Sequence, residues 1–220
     1  MKVAILGNSI TKHGYFEDVG WYAVYGMAAS CKEKDFAHIL MRKFNEIEPC
    51  EFMVENVANF EVNFEKPYGK VGERPDEFNQ DREKYSSLEE DLELHIKFNA
   101  DIVILAIGEN VAPLDSEERR GHFYDELIHL YKLLTQKEGC KLFVRSCFWP
   151  DTIKDRILKQ SCEDFGGIFV DLSFEGGQKK YYAHDGRKFW HGGVANHPGD
   201  LGMQMIADKI WEKVEPVIKK

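Results

Sequence analysis

Residues 1–11 read Met1-Lys2-Val3-Ala4-Ile5-Leu6-Gly7-Asn8-Ser9-Ile10-Thr11. Lys2–Leu6 is a short apolar run without helical spacing, and it breaks at a glycine into a polar turn. That is the pattern of a strand buried on both faces. Four further runs share it: Glu51–Glu55, Asp101–Ile107, Lys141–Cys147 and Gly167–Asp171. Between them, apolar residues recur at helical spacing in Lys34–Ile47 (Phe36, Ile39, Leu40, Phe44) and Glu117–Gln136 (Phe123, Leu127, Leu130, Tyr131, Leu134), with further helices over Thr152–Phe165 and Leu201–Val217. Strands alternating with helices imply parallel pairing with helices on both faces, a three-layer α/β/α domain. No repeat or linker divides residues 1–220, which read as one domain. Two stretches depart from the alternation. Val57–Lys84, broken by Pro67, Gly69, Gly72 and Pro75, reads as a long excursion; Ser173–Pro198 is rich in glycine and aromatic residues. Long loops of this kind are usually functional or mobile.

The bulk properties narrow the class of function. A formal charge of −9, from 29 basic and 38 acidic residues, argues against a nucleic-acid partner, because phosphate backbones select basic surface. No apolar run approaches the ~20 residues that span a bilayer, and Met1–Leu6 lacks the regions of a signal peptide, so a cytoplasmic location without membrane partner is expected. Cys31, Cys50, Cys140, Cys147 and Cys162 are odd in number and scattered, with no zinc spacing; reduced thiols and no metal are expected.

Open α/β sheets bind ligands beyond the carboxyl ends of their strands. Three positions there carry chemistry-bearing residues. Ser9 follows the first strand; Asn110, in Gly108-Glu109-Asn110, follows the third; His197 precedes the last helix in His197-Pro198-Gly199-Asp200. Taken singly, each has a plain structural reading: Ser9 as a turn or cap, Asn110 as a turn former, His197 as an exposed histidine. A phosphate loop is not indicated, since neither GxxxxGK[ST] nor GxGxxG occurs. Taken together they form a set. A serine needs a base near neutral pH, imidazole supplies one, and an asparagine amide can meet the oxyanion of an acyl transfer.

These motifs resemble those of the SGNH hydrolases, the GDSL esterase and lipase family. Gly7-Asn8-Ser9 is similar to the family's Gly-Asp-Ser block, Gly108-Glu109-Asn110 to its Gly-x-Asn-Asp block, and His197-Pro198 to the end of its Asp-x-x-His-Pro block. Gly20-Trp21-Tyr22, Gly26–Ser30, Gly199-Asp200 and Gly202-Met203 also resemble segments of bacterial members, many from gut bacteria. The resemblance implies a flavodoxin-like sheet in the order 2-1-3-4-5. It further implies a serine esterase with Ser9 as nucleophile and His197 as base, without cofactor. The oxyanion would be met by the N–H groups of Ser9 and Ala58 and by the Asn110 amide.

The sequence departs from the family pattern at two places. Ala58 stands where the family has its oxyanion glycine, and Gly26 is a weaker substitute because it precedes the second strand. Val194 stands three residues before His197, in the slot of the triad aspartate. A backbone carbonyl in Gly192–Val194 then becomes the expected partner of the imidazole, giving a Ser–His dyad. Asp200, expected chiefly to cap the last helix, Glu109, either at the pocket or in an exposed turn, and Asp171, chiefly a turn former, are the other acids. Tyr181, Tyr182 and Trp190 offer flat faces to a carbohydrate ester or simply pack their loop down. The rival from another class is a flavodoxin-like module, or a degenerate hydrolase, that holds a small ligand at Gly7–Thr11 without catalysis.

Overall fold

The computed structural model describes residues 1–65 and 87–219. Five parallel strands, β1 (Lys2–Gly7), β2 (Glu51–Asn56), β3 (Ile102–Ala106), β4 (Lys141–Arg145) and β5 (Ile168–Val170), form one sheet in the order β2-β1-β3-β4-β5. This is the expected strand order. Side chains alternate across a strand, and β1 shows why its run is apolar throughout. Val3 and Ile5 enter the core under α1 (Phe36–Asn45) and α8 (Asp200–Ile218). Ala4 and Leu6 enter the opposite core under α5 (Glu117–Leu134) and α6 (Thr152–Asp164). All four are buried.

Polar caps set the helix starts. Asp35 accepts the N–H of His38 at 2.7 Å before α1, Ser116 that of Arg119 at 3.2 Å before α5, and Asp151 those of Ile153 and Lys154 before α6. Helices appear where none is expected from spacing. The excursion after β2 opens with α2 (Ala58–Asn63), which buries Phe60 with Phe64 just past its end, and α3 (Leu88–Asp91) and α4 (Glu93–Phe98) lead into β3. These helices are too short to display a period. Pro67, Gly69, Gly72 and Pro75, on which the excursion reading rests, lie outside the described residues. In the late loop a single short α-helix, α7 (Gly192–Ala195), precedes the turn into α8. Among the described residues no helix is long and apolar enough to cross a membrane.

The register brings the carboxyl ends of three strands level, with Gly7 opposite both Asn56 of β2 and Ala106 of β3. Two glycines keep these ends close together. A Cβ at Gly7 would collide with Ala106 O and Thr11 Oγ1, and Gly108 has φ +124° with Cys147 Sγ 2.6 Å from where a Cβ would be. Ser9, Ala58 and Asn110 therefore emerge side by side on one rim.

Candidate active site

Ser9 stands two residues beyond β1, and its Oγ lies 2.8 Å from Nε2 of His197, a residue 188 positions later in the chain. The imidazole is reached through the turn between α7 and α8. Ala183 N–H donates to His197 O at 2.8 Å, and His197 N–H donates to Val194 O at 3.1 Å, so the backbone is tied on both sides. Trp149 packs edge-on against the ring, with centroids 5.4 Å apart.

The other ring nitrogen, Nδ1, lies 2.8 Å from the carbonyl oxygen of Gly193. A carbonyl only accepts, so Nδ1 carries the proton and the Ser9 hydroxyl donates to a bare Nε2. The acceptor falls within the stretch 192–194 from which a main-chain partner is expected. Val194 itself is buried in a small apolar cluster with Trp21, Met27, Ala28 and Ala183, which accounts for an apolar residue in that slot. Loss of hydration pulls the His197 pKa down to about 4, against the Gly193 carbonyl, which favours the cation. The imidazole is therefore neutral at pH 7.

The two oxyanion candidates differ. Asn110 Nδ2 donates to Glu61 Oε2 at 2.8 Å, and an amide nitrogen carries a second hydrogen for another acceptor. The N–H of Ala58, in contrast, donates to Asn56 Oδ1 at 2.8 Å, an Asx turn closing β2 into α2. That amide is engaged rather than free, unlike the donor the motif comparison implies. Gly26 N–H is likewise spent, on Asp35 Oδ2 at 3.0 Å.

Behind the rim lies a buried polar network that the motifs do not announce. Glu61 of α2 is fully buried; its Oε1 accepts from Gly108 N–H at 2.5 Å, Asn110 N–H at 3.2 Å and Asn8 Nδ2 at 3.2 Å. Asn8 Nδ2 also donates to Glu109 Oε2 at 2.6 Å, so one amide bridges two carboxylates. Glu109 is neither at the pocket nor in an exposed turn, as expected from sequence; its side chain is 1% exposed. It pairs with the equally buried Arg145 at 2.6 Å and accepts Phe148 N–H at 2.8 Å. The reason is charge: a guanidinium buried at the end of β4 requires an anion, and Glu109 is the residue beside it. Burial alone would push the Glu109 carboxyl up, but Arg145 and its donors hold it below the ordinary value. Glu61 is raised to about 7, first by burial and then by the charge of Glu109.

The remaining predicted residues lie apart from the Ser9–His197 hydrogen bond. Asp200 does not cap α8. Gly199 holds the N-cap position, and the Asp200 carboxylate accepts Ser30 N–H and Oγ–H, each at 2.7 Å, and pairs with Lys34 at 2.9 Å. It straps a distant loop to the start of the helix. Asp171 Oδ1 accepts Ser173 N–H at 2.8 Å, closing a turn. Trp190 is 78% exposed. Tyr181 packs on the core beneath α8, with the Lys180 ammonium over its ring, while Tyr182 stacks on His184.

Two cavities meet at His197. One, of about 520 Å³, contains Ser9 and Asn110 and is walled by Phe16, Val19, Met27 and Val62. The other, of about 580 Å³, lies toward Trp149, Tyr182, His184, Lys179 and Asn196. Of the residues that sequence reasoning missed, Glu61, Asn8 and Arg145 are the most consequential, and only Asn8 stood within a recognised motif.

No protein-family model matches the sequence, and no curated protein matches it. Solved structures do match the fold. A family two carbohydrate esterase of Clostridium thermocellum superposes with a TM-score of 0.60 at 13% identity, over 99% of this chain and 64% of its own. A family 3 carbohydrate esterase of the same organism gives 0.54 at 16% identity, over 96% and 93% of the two chains. A Bacteroides uniformis protein assigned as a GDSL-like lipase gives 0.51 at 15% identity, over 98% and 95%. The chain thus has the three-layer α/β/α architecture of GDSL-like lipases and carbohydrate esterases, the fold that its motifs imply.

Proposed function

We propose that this protein is a serine hydrolase that cleaves a carboxylic ester through Ser9 and His197. One observation carries the reading: Ser9 Oγ and His197 Nε2 are 2.8 Å apart at the carboxyl ends of the strands, with Nδ1 held by Gly193 O. Ser9 Oγ attacks the ester carbonyl while its proton passes to Nε2. The oxyanion is met by the second Asn110 amide hydrogen and the Ser9 N–H. Collapse expels the alcohol, which takes the proton from His197. Water then attacks the acyl-enzyme, gives its proton to Nε2, and releases the carboxylic acid as Ser9 is reprotonated. Besides the ester and this water, the groups these steps call on are the side chains of Ser9, His197 and Asn110 and the Ser9 N–H. A main-chain acceptor fixes the tautomer but adds no full negative charge beside the imidazolium. With a base of low pKa, turnover is expected to be modest.

The substrate we favour is a small ester of a carbohydrate. The second cavity offers the rings of Trp149 and Tyr182 beside Lys179, His184 and Asn196, a mixture of flat apolar faces and hydrogen-bonding groups suited to a sugar ring. Both Clostridium thermocellum neighbours are carbohydrate esterases by name, in keeping with that choice. The test is hydrolysis of 4-nitrophenyl acetate and of an acetylated xylo-oligosaccharide by the wild type and by Ser9→Ala. Turnover lost in Ser9→Ala supports the reading. Equal turnover in both proteins, or none in the wild type, removes it.

A further inference from the structure

Resting on that hydrolase reading, we propose that Glu61 is the positioning residue of the oxyanion-binding rim, holding the loops beyond β1 and β3 in one arrangement through N–H groups that converge on its carboxylate. Four donors point at it: the backbone N–H groups of Gly108 and Asn110 and the side-chain amides of Asn8 and Asn110, at 2.5–3.2 Å. Asn8 immediately precedes the nucleophile, and its Oδ1 accepts Ile10 N–H at 3.2 Å, so the Asn8 amide is fixed at both ends across the serine. Asn110 carries the amide assigned to the oxyanion. One carboxylate thus ties the residue before the nucleophile to the residue that meets the oxyanion, from a helix that contributes the cavity wall Ala58, Asn59 and Val62.

The arrangement is built for an acceptor-only group. An ionised carboxylate has lone pairs for all four donors; a primary amide does not. In Glu61→Gln, an Nε2 facing Asn110 Nδ2 sets donor against donor. An Nε2 facing the other way meets Gly108 N–H, Asn110 N–H and Asn8 Nδ2. In either orientation the Asn110 amide or the 108–110 turn must move, and displacement of a preorganised oxyanion donor costs rate more than ground-state binding.

Ionisation of Glu61 is opposed by burial and by Glu109, which shares the Asn8 amide; Glu109 is itself balanced by Arg145. Among the described residues, Glu109 is the charged group that acts on Glu61, and Arg145 balances Glu109. The ionised form is the one that matches the donors, so kcat should rise with pH through about 7, the value to which Glu61 is shifted. His197, which burial pulls down to about 4, lies below that inflection.

The experiment compares wild type, Glu61→Gln and Glu61→Asp on 4-nitrophenyl acetate from pH 4.5 to 9, with thermal melts to establish folding. The expected result is a kcat fall of ~10²-fold in Glu61→Gln with KM within about twofold, loss of the inflection near pH 7, and partial rescue in Glu61→Asp, the scale being that of one oxyanion donor. Should Glu61→Gln not fold, Glu61→Asp reads the same effect through a carboxylate withdrawn by one methylene. A folded Glu61→Gln or, where that variant does not fold, a folded Glu61→Asp, with kcat within threefold of wild type and an unchanged pH profile overturns the role of Glu61 and leaves the hydrolase reading standing. A wild type without turnover overturns both.

Discussion

Glu109→Gln should destabilise the protein heavily, although the residue touches neither Ser9 nor His197. The wild-type carboxylate meets three donors: Arg145 Nη1 at 2.6 Å and Phe148 N–H at 2.8 Å on Oε1, and Asn8 Nδ2 at 2.6 Å on Oε2. Glutamine can keep an oxygen toward Arg145 and Phe148, but its Nε2 then faces the Asn8 amide, which cannot rotate without giving up the bond from Ile10 N–H. Arg145, with a side chain 0% exposed, becomes a buried cation without an anion. Breaking one half of a buried pair costs about 3–5 kcal/mol. For a chain of this length, where 1 kcal/mol shifts Tm by roughly 2–4 °C, the melting point should fall by about 10 °C. Urea denaturation followed by circular dichroism measures the loss. Arg145→Met in the same background removes the orphaned charge and should restore part of it. A loss below ~1 kcal/mol in Glu109→Gln, or a double variant weaker than the single by the full cost of Arg145→Met, would refute the claim that the pair is a buried, desolvated ion pair.

Asn110→Ala should lower kcat by ~10²–10³-fold with a smaller change in KM; a change confined to KM would make it a ground-state contact instead. Asp200→Asn should leave kcat on 4-nitrophenyl acetate within about twofold and weaken the strap to Ser30 and Lys34, seen as faster amide exchange at Ser30; a kcat loss near 10⁴-fold would reveal an unrecognised triad acid. Gly7→Ala should fold poorly, because its Cβ meets the backbone oxygen of Ala106; a soluble variant with wild-type melting would show that β1 and β3 have room to separate.

The strands were legible because both faces of β1 and β3 are buried, which forces unbroken apolar runs at Val3–Leu6 and Ile102–Ala106. Ser9 and Asn110 could be placed on one rim because strand order determines which strand ends are neighbours, whereas His197, in the turn before α8, stood out through the resemblance of His197-Pro198 to the family's last block. The network behind them was not. Glu61 lies in the polar stretch after β2, and nothing local says that a six-residue helix turns it inward to meet Gly108 and Asn110. Glu109 reads as a turn residue until Arg145, 36 positions later, is known to be buried beside it. Asp200 has the look of a cap, but the contact that claims its carboxylate comes from Ser30, 170 positions away. Local pattern reports which face a residue takes; it does not report partners supplied by another loop.

The central claim is an activated Ser9, and labelling with a fluorophosphonate followed by intact-mass and peptide analysis tests it most directly. The reagent phosphonylates a serine whose proton a neighbouring base accepts and passes over a hydroxyl held only in a turn. The account predicts one adduct per chain, on Ser9, formed at pH 7 and lost in His197→Ala, since the imidazole is neutral there and 2.8 Å away. Absence of an adduct on folded wild-type protein, or an adduct on Ser9 that forms as fast without His197, would contradict it.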